Sequence, residues 1–431
     1  MLFPPIALLR QSTPQAHVAD IASDVRNRWL ASRLPKRIKR GDRVAVAVGS
    51  RGIAGLRTIV SATLDVLRDL GTKPFVVAAM GSHGGATSEG QRQLLAGYGI
   101  SEEKLRVLVR TDMDAVQIGT NSWDEPVYWD KNALESDAVV TISRVKPHTD
   151  FRAPYESGIV KMLVIGLGKR EGAAQHHRWG YRGLSEMIPE SCRVILEKTP
   201  FIAGLAIIEN AHEQTAFLQV IEREDVLQTE PELLKQARAL MARLPFAQLD
   251  LLVIGEIGKN YSGAGIDPNA VGRLLMEGQP EPETPRITRI CALDLSPESH
   301  GNGTGIGIAD LTTERLLAAI DPVPFRMNNL TACFLWRSKL PFAFANDREC
   351  IEMGLKTCWQ PRPEQVRMAI IPNTLELSDI WVSPPLAEES SGVSGLARIG
   401  DAHSMPFDGA ANLVQEALFP QSVRGRRSVH D

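Results

Sequence analysis

The chain has 431 residues, of which 43% are hydrophobic and 23% charged. This is ordinary globular usage over enough length for roughly two to four domains, and it excludes wholesale disorder. Its 48 Lys and Arg against 51 Asp and Glu leave a net charge of −3, which excludes the electrostatic footprint of a nucleic-acid binder.

No apolar run reaches the length of about 18 residues that a membrane span needs. The apolar start contains two prolines and no basic leader, so it reads as a first strand rather than a signal peptide. Five cysteines without a CxxC pair fit reduced thiols in a cytoplasmic protein.

Residues 44–48 read as a buried strand running into Gly49-Ser50-Arg51-Gly52. Leu56, Ile59, Val60, Leu64, Leu67 and Leu70 then form a helical stripe. Residues 73–79 are a second strand, running into Gly81-Ser82-His83-Gly84-Gly85, and Ser88-Glu89-Gly90-Gln91 resembles a capping box. Residues 105–109 and 137–142 are further strands. A charged stretch, 222–243, reads as a helical connector with the domain boundary near Pro245.

The pattern then returns, with strands at 249–254, 286–293 and 366–371 and a helix at 310–320. Arg424-Gly425-Arg426-Arg427 reads as a solvated tail. The fold class is α/β: two Rossmann-like α/β domains, 1–245 and 246–431, with a ligand cleft between them and the last helix packing back on the first domain.

In open α/β sheets ligands lie beyond the carboxyl ends of the strands, so those loops hold the candidate residues. Arg51 can fork onto a carboxylate or phosphate. Gly81 and Ser82 allow close backbone approach beside His83, an acid/base candidate. His148 follows the strand at 137–142, next to Lys146, whose charge favours a neutral base. Lys161 sits in an apolar run, where desolvation makes an amine nucleophilic. His176 and His177 are adjacent and point in different directions on a helix, so one of them at most serves a given site. Lys259 and Tyr261 lie in a Gly-rich loop after the strand at 249–254 and could grip an anion.

This combination, with Gly81-Ser82-His83, Lys146-Pro147-His148, Ser157-Gly158-Ile159-Val160-Lys161 and the later histidine pair, resembles the nickel-dependent lactate racemase family. The resemblance implies a nickel-pincer nucleotide, a Ni(II) pyridinium-3,5-bisthiocarboxylic acid mononucleotide, bound by an isomerase that inverts Cα of a 2-hydroxyacid. Hydride leaves Cα for the cofactor and returns to either face. On this resemblance His83 and His148 are the acid/base pair and Lys161 tethers the cofactor beside Gly81 and Ser82. His177 is the metal ligand, with His176 as fallback, and Arg51, Lys259 and Tyr261 contact the substrate. The implied partners are the 2-hydroxyacid and the cofactor biosynthesis proteins, with no nucleic acid and no membrane. Two readings of other classes stand beside it: a metal-dependent hydrolase or lyase using His176 and His177, and a non-catalytic small-molecule-binding protein.

Overall fold

The computed structural model describes residues 3–50 and 52–424. Arg51 and the tail arginines Arg426 and Arg427 lie outside the described residues. The chain divides into two compact units, Pro14–Met241 and Met1–Thr13 with Ala242–Asp431. Strand β1 (Ile6–Gln11), assigned by sequence to the N-terminal domain, is therefore part of the other unit. Its Ile6 and Leu9 are buried there, a burial that the short apolar segment obtains only by joining that sheet.

The unit Pro14–Met241 is built on β2 (Arg43–Val48), β3 (Lys73–Ala78), β4 (Val109–Arg110), the hairpin pair β5 (Ala115–Thr120) and β6 (Pro126–Asp130), then β7 (Ala138–Arg144), β8 (Phe201–Glu209) and β9 (Thr215–Glu222). Its main sheet runs β4-β3-β2-β7-β8-β9, parallel except for the β8–β9 pair. Helices cover both faces, so β2 is buried from Val44 to Val48 and its residues form a continuous apolar run rather than an alternation. The chain leaves β2 toward β3 on one side and reaches β7 on the other. That reversal opens a crevice beyond the carboxyl ends of β2 and β7.

Three local expectations change. Residues 105–109 are not a strand: Ser101 caps the helix Glu102–Leu105, and the Glu102 carboxylate accepts the Val109 N–H at 2.9 Å, leaving Val109–Arg110 as β4. The helix Ser88–Gly97 is capped by Thr87, which accepts the Gly90 N–H at 3.1 Å; Ser88 itself bonds Thr111. The helix Val226–Leu240 is no connector, because Val226, Glu230, Leu233, Leu234 and Ala237 are buried within this unit.

The other unit holds β10 (Gln248–Ile254), β11 (Arg286–Ala292), β12 (Leu311–Thr313), β13 (Phe342–Phe344), β14 (Met368–Ile371), β15 (Asp379–Val382) and β16 (Leu396–His403). The order is β13-β12-β11-β10-β14-β15-β1-β16, with β13 and β16 at the edges. The helix expected over 310–320 starts later, at Glu314, because β12 comes first. The helix Gln415–Leu418 packs within its own unit. Gln415 donates to the Gly255 carbonyl at 3.0 Å, and the Trp381 indole donates to the Leu418 carbonyl at 2.9 Å. Arg424 is no solvated tail either: Asp294 and Glu416 each hold it at 3.0 Å.

A fully buried ion pair lies in the first unit. Lys169, which opens the helix Lys169–Arg178, places its Nζ 2.7 Å from Asp130 at the end of β6 and 2.7 Å from the Ala78 carbonyl at the end of β3. Burial pushes the Asp130 carboxyl up, and Lys169 opposes the shift. Removing one member of such a pair strands the other. Lys169→Met should therefore lower unfolding stability by about 3–5 kcal/mol in urea titration; a loss below about 1 kcal/mol would show that the pair is not holding these elements.

Candidate active site

The loops after β2, β3 and β7 emerge at one edge of the parallel sheet. The β3 loop is drawn in by close backbone contacts. Gly81 has a φ of 57°, its N–H donates to the Gly166 carbonyl at 3.0 Å, and a Cβ there would stand 3.0 Å from the Ile165 carbonyl. Only glycine fits both demands. Gln91, fully buried on the following helix, donates to the carbonyls of Gly81 and His83 at 3.0 and 3.2 Å. Ser82 accepts the Ala86 N–H at 3.0 Å. His83 is exposed, its Nδ1 paired with the Ser50 hydroxyl, while Tyr98 donates to the Ser50 carbonyl at 2.9 Å. The β2 and β3 loops thus share one hydrogen-bonded frame around His83.

His148 and Lys161 meet directly, Nε2 against Nζ. His148 Nδ1 accepts the Asp150 N–H at 3.0 Å. A neutral ring then carries its proton on Nε2, the nitrogen that faces the Lys161 amine. Fully buried Phe151 underlies both groups, its ring 4.7 Å from the imidazole and 5.3 Å from Nζ. The loop between them is pinned where Lys146 and Ser157 exchange backbone bonds at 3.1 and 3.2 Å.

Two buried carboxylates fix this pair, and both answer to the helix Val226–Leu240. Glu156 accepts the backbone N–H of His148 at 2.6 Å and of Ala153 at 3.1 Å, and it pairs with Arg238. Glu230 accepts the N–H groups of Ile159 and Val160 at 2.6 and 3.1 Å, capping the helical turn that carries Lys161. A Cβ on Gly158 would lie 2.5 Å from that carboxylate, which is why glycine stands three residues before the lysine.

The histidine pair splits. His176 is buried, with Nδ1 bonded to the Gly172 carbonyl at 2.7 Å and Nε2 to Ser191 Oγ at 3.0 Å; burial lowers it to about 4. It is a core residue, so the pair does not act as two metal ligands. His177 bonds the Ala173 carbonyl through Nδ1 at 2.6 Å, which puts its lone pair on Nε2, and Nε2 has no hydrogen-bond partner among the described residues. Burial lowers its pKa against the Ala173 bond. Lys161, when charged, lowers it further, and Asp150 opposes that.

In the other unit, Lys259 and Tyr261 follow β10. Lys259 Nζ donates to the Gly263 carbonyl at 2.5 Å, and its N–H donates to Ser299 Oγ at 2.8 Å. Tyr261 is buried and its hydroxyl donates to Glu256, so it serves the loop's interior rather than presenting a free hydroxyl. Sequence reading missed Ser50, Gln91, Phe151, Glu156, Glu230 and Arg238. Ser50, Gln91, Phe151 and Glu156 lie in or beside segments that sequence reading singled out, without a role of their own; Glu230 and Arg238 lie far away in the chain and carry no local signal.

The fold is mixed α/β with mostly parallel sheets, similar to that of a lactate racemase structure. Residues 7–185 match the family model of the lactate racemase N-terminal domain. The solved structure of the lactate racemase apoprotein from Thermoanaerobacterium thermosaccharolyticum is similar to this chain. Its TM-score is 0.52 at 13% identity, and the match covers 85% of this chain and 94% of that one. No curated protein matches the chain in sequence.

Burial pushes the Glu230 carboxyl up to about 7, against the two backbone N–H bonds. As pH rises, the unfolded chain loses this proton first, so stability falls between the ordinary glutamate range and pH 7. Urea unfolding at pH 5 and pH 8 should show that loss in the native chain, on the order of 3 kcal/mol from this group. Glu230→Gln should flatten the difference; an equal pH response in both proteins would mean that Glu230 is not the group responsible.

Proposed function

We propose that this protein is a 2-hydroxyacid racemase or epimerase that uses a nickel-pincer nucleotide. The observation that carries the reading is the Lys161–His148 contact over Phe151, with His177 on the same domain, in a segment that matches the lactate racemase N-terminal domain. The donor set fits that group. Among the described residues no three His, Cys, Asp or Glu side chains come together as a metal site. A pincer complex brings its own carbon and sulfur donors, and then one imidazole suffices, a part that His177 Nε2 suits. When bound, the group supplies a hydride acceptor for Cα of the substrate.

The residues of the chain do the rest. Lys161, held against His148 over Phe151, is the residue that would hold the cofactor. With Lys161 engaged by the cofactor, His148 Nε2 would be placed to exchange a proton with the substrate hydroxyl. His83, held by Ser50, is the second acid/base group, and inversion needs one on each face. Arg51 and Lys259 are proposed for the substrate carboxylate, and the cofactor biosynthesis proteins would deliver the nucleotide.

The donor geometry favours this over a metal-dependent hydrolase, because His176 is spent in the core. After co-production with the cofactor biosynthesis proteins, the intact chain should gain the mass of the nucleotide and bind nickel. Lys161→Ala should lose the mass increment and His177→Ala the nickel, while both keep their circular dichroism. His83→Ala and His148→Ala should lower racemisation of 2-hydroxyacids about 100-fold or more. A Lys161→Ala protein that retains the covalent mass would sink the tether assignment.

A further inference from the structure

The crossover from β12 to β13 carries apolar side chains that the fold leaves in solvent. The helix Pro322–Ala332 has one charged residue, Arg326, and Asn329 is its buried residue. Its outer stripe, Val323, Met327 and Leu330, is 58–67% exposed. Beyond the helix, Trp336 and Leu340 follow at 47% and 60%, and Phe342, on edge strand β13, reaches 79%. A helix apolar on its outward face belongs inside an interface.

The patch is fixed. Buried Arg337, in the turn Leu335–Ser338, donates to the Leu274 carbonyl at 2.6 Å, and Asn329 donates to the Phe325 carbonyl at 2.7 Å. A Cβ on Gly307 would lie 2.7–2.9 Å from the backbone of that turn, so the turn is packed down rather than loose.

We propose that this face is the contact between two copies of the chain, related by a two-fold axis beside β13. Three observations favour a second copy. The exposed apolar side chains cluster along one helix, the turn after it and the adjoining edge strand rather than being scattered singly over the surface. Among the described residues strand β13 pairs with β12 alone, so its outer edge suits an identical edge, and an antiparallel pair of edges satisfies both with one set of residues. The stripe itself carries no charged side chain, with Arg326 on the helix and Lys339 over the Trp336 ring as flanking cations, so it is apolar enough for a second copy, whereas a membrane or an acidic partner would call for a basic cluster.

Cys333, which ends the helix, reports on this face. It is exposed, while Cys192, Cys291, Cys350 and Cys358 are buried. Light scattering of the full chain at about 50 μM, a concentration at which a stable interface is populated, should give twice the chain mass. Maleimide should label Cys333 slowly there and at least tenfold faster on dilution into the monomer range. Met327→Asp and Phe342→Asp should each give a monomer whose Cys333 reacts fast at every concentration, with an unchanged circular dichroism spectrum. If a variant fails to fold, the dilution series on the native chain still decides. A native chain that is monomeric at 50 μM, with concentration-independent labelling, overturns the proposal. So does a dimer that survives both substitutions.

Discussion

The constraint on which the site depends is topological. β2 lies between β3 and β7, and the chain must leave it in opposite directions to place them there. The two loops on either side of that reversal cannot both fold back over the sheet, so a crevice stays open at the carboxyl ends of β2 and β7. His83, His148 and Lys161 gather at this edge because parallel strands deliver all their carboxyl ends to one side. β10 and β14 form the same reversal in the other unit, with the Lys259 and Tyr261 loop beside it.

A crevice alone does not align side chains. Alignment comes from charges withdrawn from water. Glu156 and Glu230 use their carboxylates on backbone N–H groups next to the two reactive side chains, and the helix Val226–Leu240 supplies Glu230 and the Arg238 partner of Glu156. Lys169 does the same for the frame, joining the end of β3, the end of β6 and the helix that bears His177. Desolvation is costly for each group, and only specific partners offset it. Buried polar contacts of this kind tolerate few alternative arrangements, which is how a mobile lysine is held against one imidazole nitrogen.

The close approaches follow from missing side chains. Gly81 and Gly166 let the His83 loop touch the helical turn beyond Lys161, and Gly158 leaves room for Glu230. Between them, the segment Met162–Gly166 widens into a π-helical turn, with Met162 packed 3.1 Å from where a Cβ on Gly49 would sit. One widened turn therefore lies against the loops of both β2 and β3, and π-helical turns recur at functional sites for this reason.

How much of this was legible beforehand follows from the range of the interactions. Residues close in sequence determined the strand 44–48, the helix after it, the glycine loops and the motif from Ser157 to Lys161, because apolar periodicity and glycine placement act within a few residues. They also brought out His83, His148 and Lys161 as candidates, each at a strand end or in an apolar run. Tertiary structure alone decided that β1 belongs to the unit Ala242–Asp431, that the stretch near 222–243 braces the site, and that His176 is core while His177 keeps a lone pair. A buried charge is satisfied by whichever partner the fold brings within hydrogen-bond reach: Glu230 caps residues 71 and 70 positions away, and Lys169 bonds a carbonyl 91 positions away. No local pattern encodes such pairs, because the energy that selects them exists only once water has been removed from around them.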